Sequence, residues 1–201
     1  MINIDEIDDT FIRNLITYAL NELDRNHEIL FSSQMNEPCI NHHFANYIDK
    51  YLLDNILDAD RNIYVDCEYS KNLNKVDGVK NIFLTNEEAS LYIRGYTRIV
   101  NEENKLNKQK RNIIPDIIVH KRNGPNYLVF ETKRKNNRSK KQKNFDLLKL
   151  KKYTTHADDC LNYKYGIYIE FYDGNIDFEQ IKRKHIVYIY KNGIRLTTAS
   201  T

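Results

Sequence analysis

Residues Ile113 to Lys133 constrain the fold more sharply than any other stretch of the chain. They read Ile-Ile-Pro-Asp-Ile-Ile-Val-His-Lys-Arg-Asn-Gly-Pro-Asn-Tyr-Leu-Val-Phe-Glu-Thr-Lys. Two apolar runs, Ile113–Val119 and Tyr127–Phe130, flank the turn-forming Lys121-Arg122-Asn123-Gly124-Pro125-Asn126, which predicts a β-hairpin. Asp116 interrupts the first run, while Glu131 and Lys133 close the second. Strand side chains alternate, so Glu131 and Lys133 share one face and Thr132 takes the other. An aspartate in an isoleucine-rich strand is disfavoured, and burying charge there is costly without compensation. A divalent cation held between Asp116 and Glu131 supplies that compensation; the plainer alternative is an ion pair at the strand ends.

Charge is distributed unevenly along the chain. The net charge is +3, yet residues 105–152 hold 16 of the 31 Lys and Arg with only Asp116, Glu131 and Asp146 as acids. Two of those three acids belong to the hairpin itself. Carboxylates ringed by positive charge suit a polyanionic partner such as nucleic acid. Arg134, Lys135, Arg138, Lys140 and Lys141 are the candidate phosphate-binding side chains, set against a reading in which basic runs are simply solvated. With 41% hydrophobic residues, the composition fits one globular domain over residues 1–201. No apolar run is long enough for a membrane span, and the N-terminus is acidic where a signal peptide is basic. Cys39, Cys67 and Cys160 are odd in number and lack a CxxC spacing, so zinc and disulfide roles are not expected and a cytoplasmic location is.

The rest of the chain predicts a layered α/β arrangement. A helix is expected over 8–25, capped by Asp8 or Asp9, with Ile7, Phe11, Leu15, Tyr18 and Leu23 inward. A second starts near Asn36-Glu37-Pro38 and buries Ile40, Phe44, Tyr47, Ile48, Tyr51, Leu52 and Ile56. Glu37 falls on that buried stripe, one turn before its core. His42 and His43 do not, and are expected to be surface or structural. Ile63–Tyr69 alternates as a strand, with Ile63, Val65, Cys67 and Tyr69 on one face and Tyr64, Asp66 and Glu68 on the other. Residues of about 70–112 form an insertion that shapes substrate access or makes a dimer contact. It contains an Asp77-Gly78 turn, a helix opened by the Thr85–Glu88 capping box, and a polar loop over 101–112. That helix would turn Ala89, Tyr92, Ile93, Tyr96, Ile99 and Val100 inward. A loop is expected over 134–143, followed by a helix carrying Lys149, Lys151 and Lys152. A strand over 165–172 ends at Asp173-Gly174. A C-terminal hairpin, His185–Tyr190 and Ile194–Thr198, turns at Asn192-Gly193.

Pro115-Asp116, fourteen intervening residues and Glu131-Thr132-Lys133 resemble the PD-(D/E)xK nuclease motif. Together with Glu37, His42, Val65–Tyr69 and Pro115–His120, the likeness extends in order over residues 37–172. It resembles a group of bacterial and phage PD-(D/E)xK proteins without assigned substrates. The resemblance implies a restriction-endonuclease-like αβββαβ core, a central mixed sheet flanked by helices, here with an inserted helix and a C-terminal hairpin. It also implies a Mg²⁺- or Mn²⁺-dependent nuclease acting on DNA, often as a homodimer. Asp116 and Glu131 would hold the metal with the Thr132 carbonyl and Glu37, while Lys133 positions the attacking water. Glu68, Lys149 and Lys152 are supplementary candidates. A nucleic-acid-binding or assembly protein that keeps the fold without turnover is the competing expectation.

Overall fold

A computed structural model of the chain describes residues 1–33, 35–57, 62–69, 79–92, 108–122, 124–135, 139–156, 161–172 and 185–196. Helix α1 (Asp9–Asn26) starts where the Asp8 carboxylate accepts the Phe11 N–H, satisfying a donor that has no partner within the helix. Its buried stripe is Ile12, Leu15, Ile16, Ala19, Leu20 and Leu23. That stripe is displaced from the expected one, leaving Phe11 and Tyr18 at its margin against Tyr51. A short helix, α2 (Glu28–Ser32), leads to α3 (Glu37–Asn55), where the Asn36 side chain accepts from the Cys39 N–H and Pro38 lies in the first turn. Ile40, Phe44, Ile48 and Leu52 recur every four residues and are all buried.

The strands are β1 (Ile63–Cys67), β2 (Asn81–Thr85), β3 (Lys108–Asn112), β4 (Ile117–Lys121), β5 (Asn126–Arg134), β6 (Tyr165–Phe171), β7 (Ile186–Lys191) and β8 (Ile194–Arg195). Six of them form one mixed sheet in the order β1-β4-β5-β6-β7-β8. Only the β5–β6 pair is parallel. A parallel pair needs a crossover, and α5 (Lys140–Thr154) provides it. All seven residues of β6 are buried, as a central strand covered on both faces requires.

One sheet face packs α1 and α3 against Ile117, Val119, Leu128, Phe130, Ile167 and Ile169. Phe44 meets Phe130 and Phe171 edge-on there. The opposite face packs α5 against Ile118, Val129 and Tyr168. At Gly166 the helix comes so near that an added Cβ would lie 3.1 Å from Thr154 and 3.2 Å from Leu150. The predicted hairpins are present. Ile117 opposes Phe130 across β4 and β5, and Asn192 and Gly193 adopt positive φ of 52° and 72° between β7 and β8, as a tight two-residue turn demands.

Four expectations need correction. The strand expected over Ile113–Val119 begins only at Ile117, so Ile113, Ile114 and Asp116 precede β4; Pro115 has no N–H to extend the ladder. The loop over 134–143 is too long, because α5 already begins at Lys140. Ser139 and Gln142 close a reciprocal capping box there. The polar loop over 101–112 includes a strand: Lys108–Asn112 pairs antiparallel with Asn81–Thr85 as a separate two-stranded sheet. Its backbone is satisfied by β2, whose Ile82 and Leu84 supply the burial that β3 lacks. Tyr69 leaves the face of Ile63 and Val65 and joins the α5-side cluster. Glu68 has φ 49°, which ends the extended alternation one residue earlier. The capping box at Thr85 and Glu88 forms as expected and opens α4 (Asn86–Tyr92). Asp77-Gly78, Ile93, Tyr96, Ile99, Val100, Asp173-Gly174 and Thr197–Thr198 lie outside the described residues.

Candidate active site

The β4–β5 register determines which charged groups meet. Asp116 directly precedes Ile117, the partner of Phe130, so Asp116 lies alongside Glu131 at the sheet's end. The Thr132 backbone N–H donates to Asp116 Oδ2 at 2.7 Å. On the α3 side, Thr132 Oγ1 donates to Asn41 Oδ1 at 2.7 Å and lies 3.2 Å from Asp116 Oδ2. Asp116 is therefore fixed by a neighbouring strand and by a residue that α3 also holds.

Lys133 donates to Glu37 Oε1 at 2.6 Å, and its Nζ is 3.8 Å from Asp116 Oδ2. Glu37 Oε2 also accepts the Arg134 backbone N–H at 3.3 Å. The first turn of α3 thus projects its carboxylate over the end of β5. Burial opposes charge on Lys133, but Asp116 and Glu37 outweigh it and hold the ammonium above the ordinary lysine pKa.

Glu131 is fully buried beneath α5. One carboxylate oxygen accepts from Lys149 and the other from the Tyr153 hydroxyl at 3.0 Å. Lys149 also lies 2.9 Å from Asp146 Oδ1. Burial pushes the Glu131 carboxyl well above the usual carboxylate range. Lys149 pulls it back, while the charges of Asp116 and Asp146 push it further up. Lys149 is also desolvated, yet Glu131 and Asp146 hold its pKa above the ordinary lysine value. Among the described residues, the buried Asp146 Oδ2 has no hydrogen-bond partner.

These groups test whether a divalent cation fits. The donors are carboxylate oxygens, the ligands a hard cation prefers. Asp116, Glu131, Glu37 and Asp146 outnumber Lys133 and Lys149 by two, although burial opposes charge on Glu131. The orphaned Asp146 oxygen points to the same deficit. Charge and donor chemistry therefore fit. As the side chains stand, though, no three His, Cys, Asp or Glu groups among the described residues converge on a metal position. The Lys149 ammonium lies between Glu131 and Asp146 instead.

The other expected site residues are dispersed. Glu68 is exposed, and its backbone N–H donates to the Asp116 carbonyl at 2.9 Å. Lys152 is paired with Glu88 of α4 at 2.9 Å. Arg134 does not fit a surface phosphate-binding role. It is 5% exposed, with its guanidinium donating to the carbonyls of Met35 at 2.5 Å and Phe31 at 3.5 Å. Lys135 is exposed with Nζ 4.5 Å from the Tyr172 ring centre. Lys140 and Lys141 are exposed in the first turn of α5, and Arg138 lies outside the described residues.

Asn41, Asp146 and Tyr153 are additions that the sequence reading missed. Each carried a spacing signal: Asn41 follows Glu37 by one turn, while Asp146, Lys149 and Tyr153 lie at i, i+3 and i+7 on one helix face. No helix among the described residues is long and apolar enough to cross a membrane. No protein-family model matches the chain, and neither does any curated protein or solved structure.

Proposed function

We propose that this chain is a metal-dependent nuclease that hydrolyses phosphodiester bonds in DNA. The observation that carries the reading is Asp116 set beside Glu131 by the β4–β5 register, with Lys133 of the same strand bridging Asp116 to Glu37 of α3. The order α3, β1, β4, β5, α5, β6 follows the αβββαβ arrangement implied by the motif, with β2, α4 and β3 inserted after β1. Asp116 and Glu131, with the Thr132 carbonyl and Glu37, are the groups that would hold Mg²⁺ or Mn²⁺. When bound, such an ion supplies Lewis acidity and lowers the pKa of a coordinated water.

The chain's own groups have separate tasks. Thr132 fixes Asp116 through its N–H. Lys133, kept protonated by Asp116 and Glu37, orients the attacking water by donating to it and stabilises negative charge developing on the phosphoryl oxygens. Lys149 and Tyr153 orient Glu131 through its two oxygens. Exposed Lys135, Lys140 and Lys141 attract the backbone phosphates.

Binding without turnover is a second reading, favoured by Lys149 already lying against Glu131 where a metal ion would be its competitor. Cleavage of linear, plasmid, single-stranded and branched DNA, with Mg²⁺ or EDTA, separates the two. Mg²⁺-dependent cutting that Asp116→Ala and Lys133→Ala each abolish, with binding retained, is the expected result. DNA bound but uncut by the wild-type protein under every condition favours the non-enzymatic reading. Full activity in either variant rejects the assigned roles.

A further inference from the structure

A row of aromatic and basic groups leads from Glu131 toward the far edge of the sheet. Tyr168 of β6 is the register partner of Glu131, and Tyr188 of β7 is the partner of Tyr168. The two rings stack with centroids 5.7 Å apart and planes 22° apart. Arg195 of β8 places its guanidinium carbon 3.5 Å from the centre of the Tyr188 ring. Lys143 of α5 lies 5.4 Å from the Tyr168 ring and 5.1 Å from the Tyr188 ring. Glu170, the acid beside this stack, is paired with Lys143 at 2.8 Å. The Arg195 side chain is exposed, and among the described residues it has no carboxylate or hydrogen-bond partner; its backbone pairs with Tyr190.

This geometry has a specific use. A guanidinium held flat on a ring loses little freedom when a second flat group is laid on its outer face. Unpaired nucleobases stack on arginine planes in this way, whereas bases inside a duplex are unavailable. The local charge is positive because Glu170 is neutralised, which favours a polyanionic strand over an acidic or apolar peptide. Three strand spacings separate β5 from β8, about 14 Å at the usual interval, so the stack lies within a few nucleotides of the acids.

We propose that Arg195, backed by Tyr188 and Tyr168, seats an unpaired base of the bound nucleic acid, so that the preferred substrate is single-stranded beside the scissile phosphate. The inference rests on the nucleic-acid reading of the Asp116–Glu131 site.

Fluorescence anisotropy with labelled oligothymidylate and a labelled duplex, in EDTA so that cutting cannot interfere, tests it. Wild-type protein is expected to favour the single strand. Arg195→Ala should weaken single-strand binding about tenfold, the scale of one stacked base, with little effect on the duplex. Arg195→Lys keeps the charge but loses the plane, so it should recover only a minor part of that loss. Single-strand affinity unchanged in Arg195→Ala, or fully restored in Arg195→Lys, overturns the stacking seat while leaving the nuclease reading intact. If the wild-type protein binds neither probe, the nucleic-acid reading fails and the seat fails with it. Circular dichroism of both variants identifies any loss caused by misfolding.

Discussion

Lys80 offers a quantitative test of the α5-side packing. It precedes β2, is 2% exposed, and donates to the Tyr163 hydroxyl at 3.0 Å. Its ammonium lies 5.5 Å from the Tyr69 ring centre and 5.4 Å from that of Tyr163. Burial lowers its pKa from 10.5 to about 8, with Asp66 opposing the fall. A fall of about 2.5 units corresponds to about 3 kcal/mol of folding free energy lost while both states are protonated. The unfolded chain holds this proton more tightly than the folded one. The penalty is therefore complete below the folded pKa and is relieved as pH rises from about 8 towards 10.5.

Lys80→Met removes the titration. It also leaves the Tyr163 oxygen without its donor, costing about 1–3 kcal/mol. The net change at one pH is thus a small difference between opposing terms, and the pH dependence is the cleaner measurement. The free-energy difference between Lys80→Met and wild type should shift by about 2.5 kcal/mol in favour of wild type between about pH 7 and about pH 10. Urea unfolding followed by circular dichroism at several pH values would measure it, and subtracting the two profiles cancels the titration of other lysines and tyrosines. Parallel profiles would show that Lys80 is solvated in the folded protein and would refute the packing argument.

Two further substitutions separate structural charge from functional charge. Lys149→Met should destabilise the protein by about 3–5 kcal/mol in urea unfolding because it strands Glu131 in the interior, and adding Glu131→Leu should restore much of the loss. A loss below about 1 kcal/mol would mean that the pair behaves as if exposed. Arg134→Ala should cost about 2 kcal/mol or more through its lost charged hydrogen bonds, with DNA affinity per folded molecule unchanged. Weakened DNA binding at full stability would return Arg134 to the phosphate-binding set.

Much of this arrangement was legible because local patterns and packing agreed. The Ile117–Val119 and Tyr127–Phe130 strands, the Asn36 cap and the Asn192-Gly193 turn each combined a periodicity with a specific terminator, and each formed, although Ile113 and Ile114 fell outside β4. Strand β3 was not legible because Lys-Gln-Lys-Arg-Asn has no apolar alternation, and its pairing depends on β2, far away in sequence. The start of α5 was hidden by its lysines, although Ser139 and Gln142 carried the capping signal. At the site, alternation put Glu131 and Lys133 on one face. It did not reveal that Glu131 is enclosed by α5 while Lys133 reaches around the strand end to Glu37. That division depends on side-chain length and on where two helices begin and end, which strand periodicity does not encode.

The division also explains why four carboxylates can gather here. The hairpin brings Asp116 beside Glu131, α3 adds Glu37, and α5 adds Asp146. Lys133 and Lys149 provide two positive charges in return, each shared between two acids. For stability alone, apolar residues at Glu131, Asp146 and Lys149 would serve as well or better, because desolvating charges costs as much as their attraction returns. Arg134 and the Asp24–His185 pair have ready structural purposes, linking helices to strand ends. The Glu131 cluster also ties α5 to β5, yet it leaves one oxygen of Asp146 without a hydrogen-bond partner among the described residues, and Asp116 and Asp146 raise the cost of ionising Glu131. On the proposed reading, this surplus of acids over lysines is what an added cation would offset, and the exposed Lys135, Lys140 and Lys141 would suit a phosphodiester.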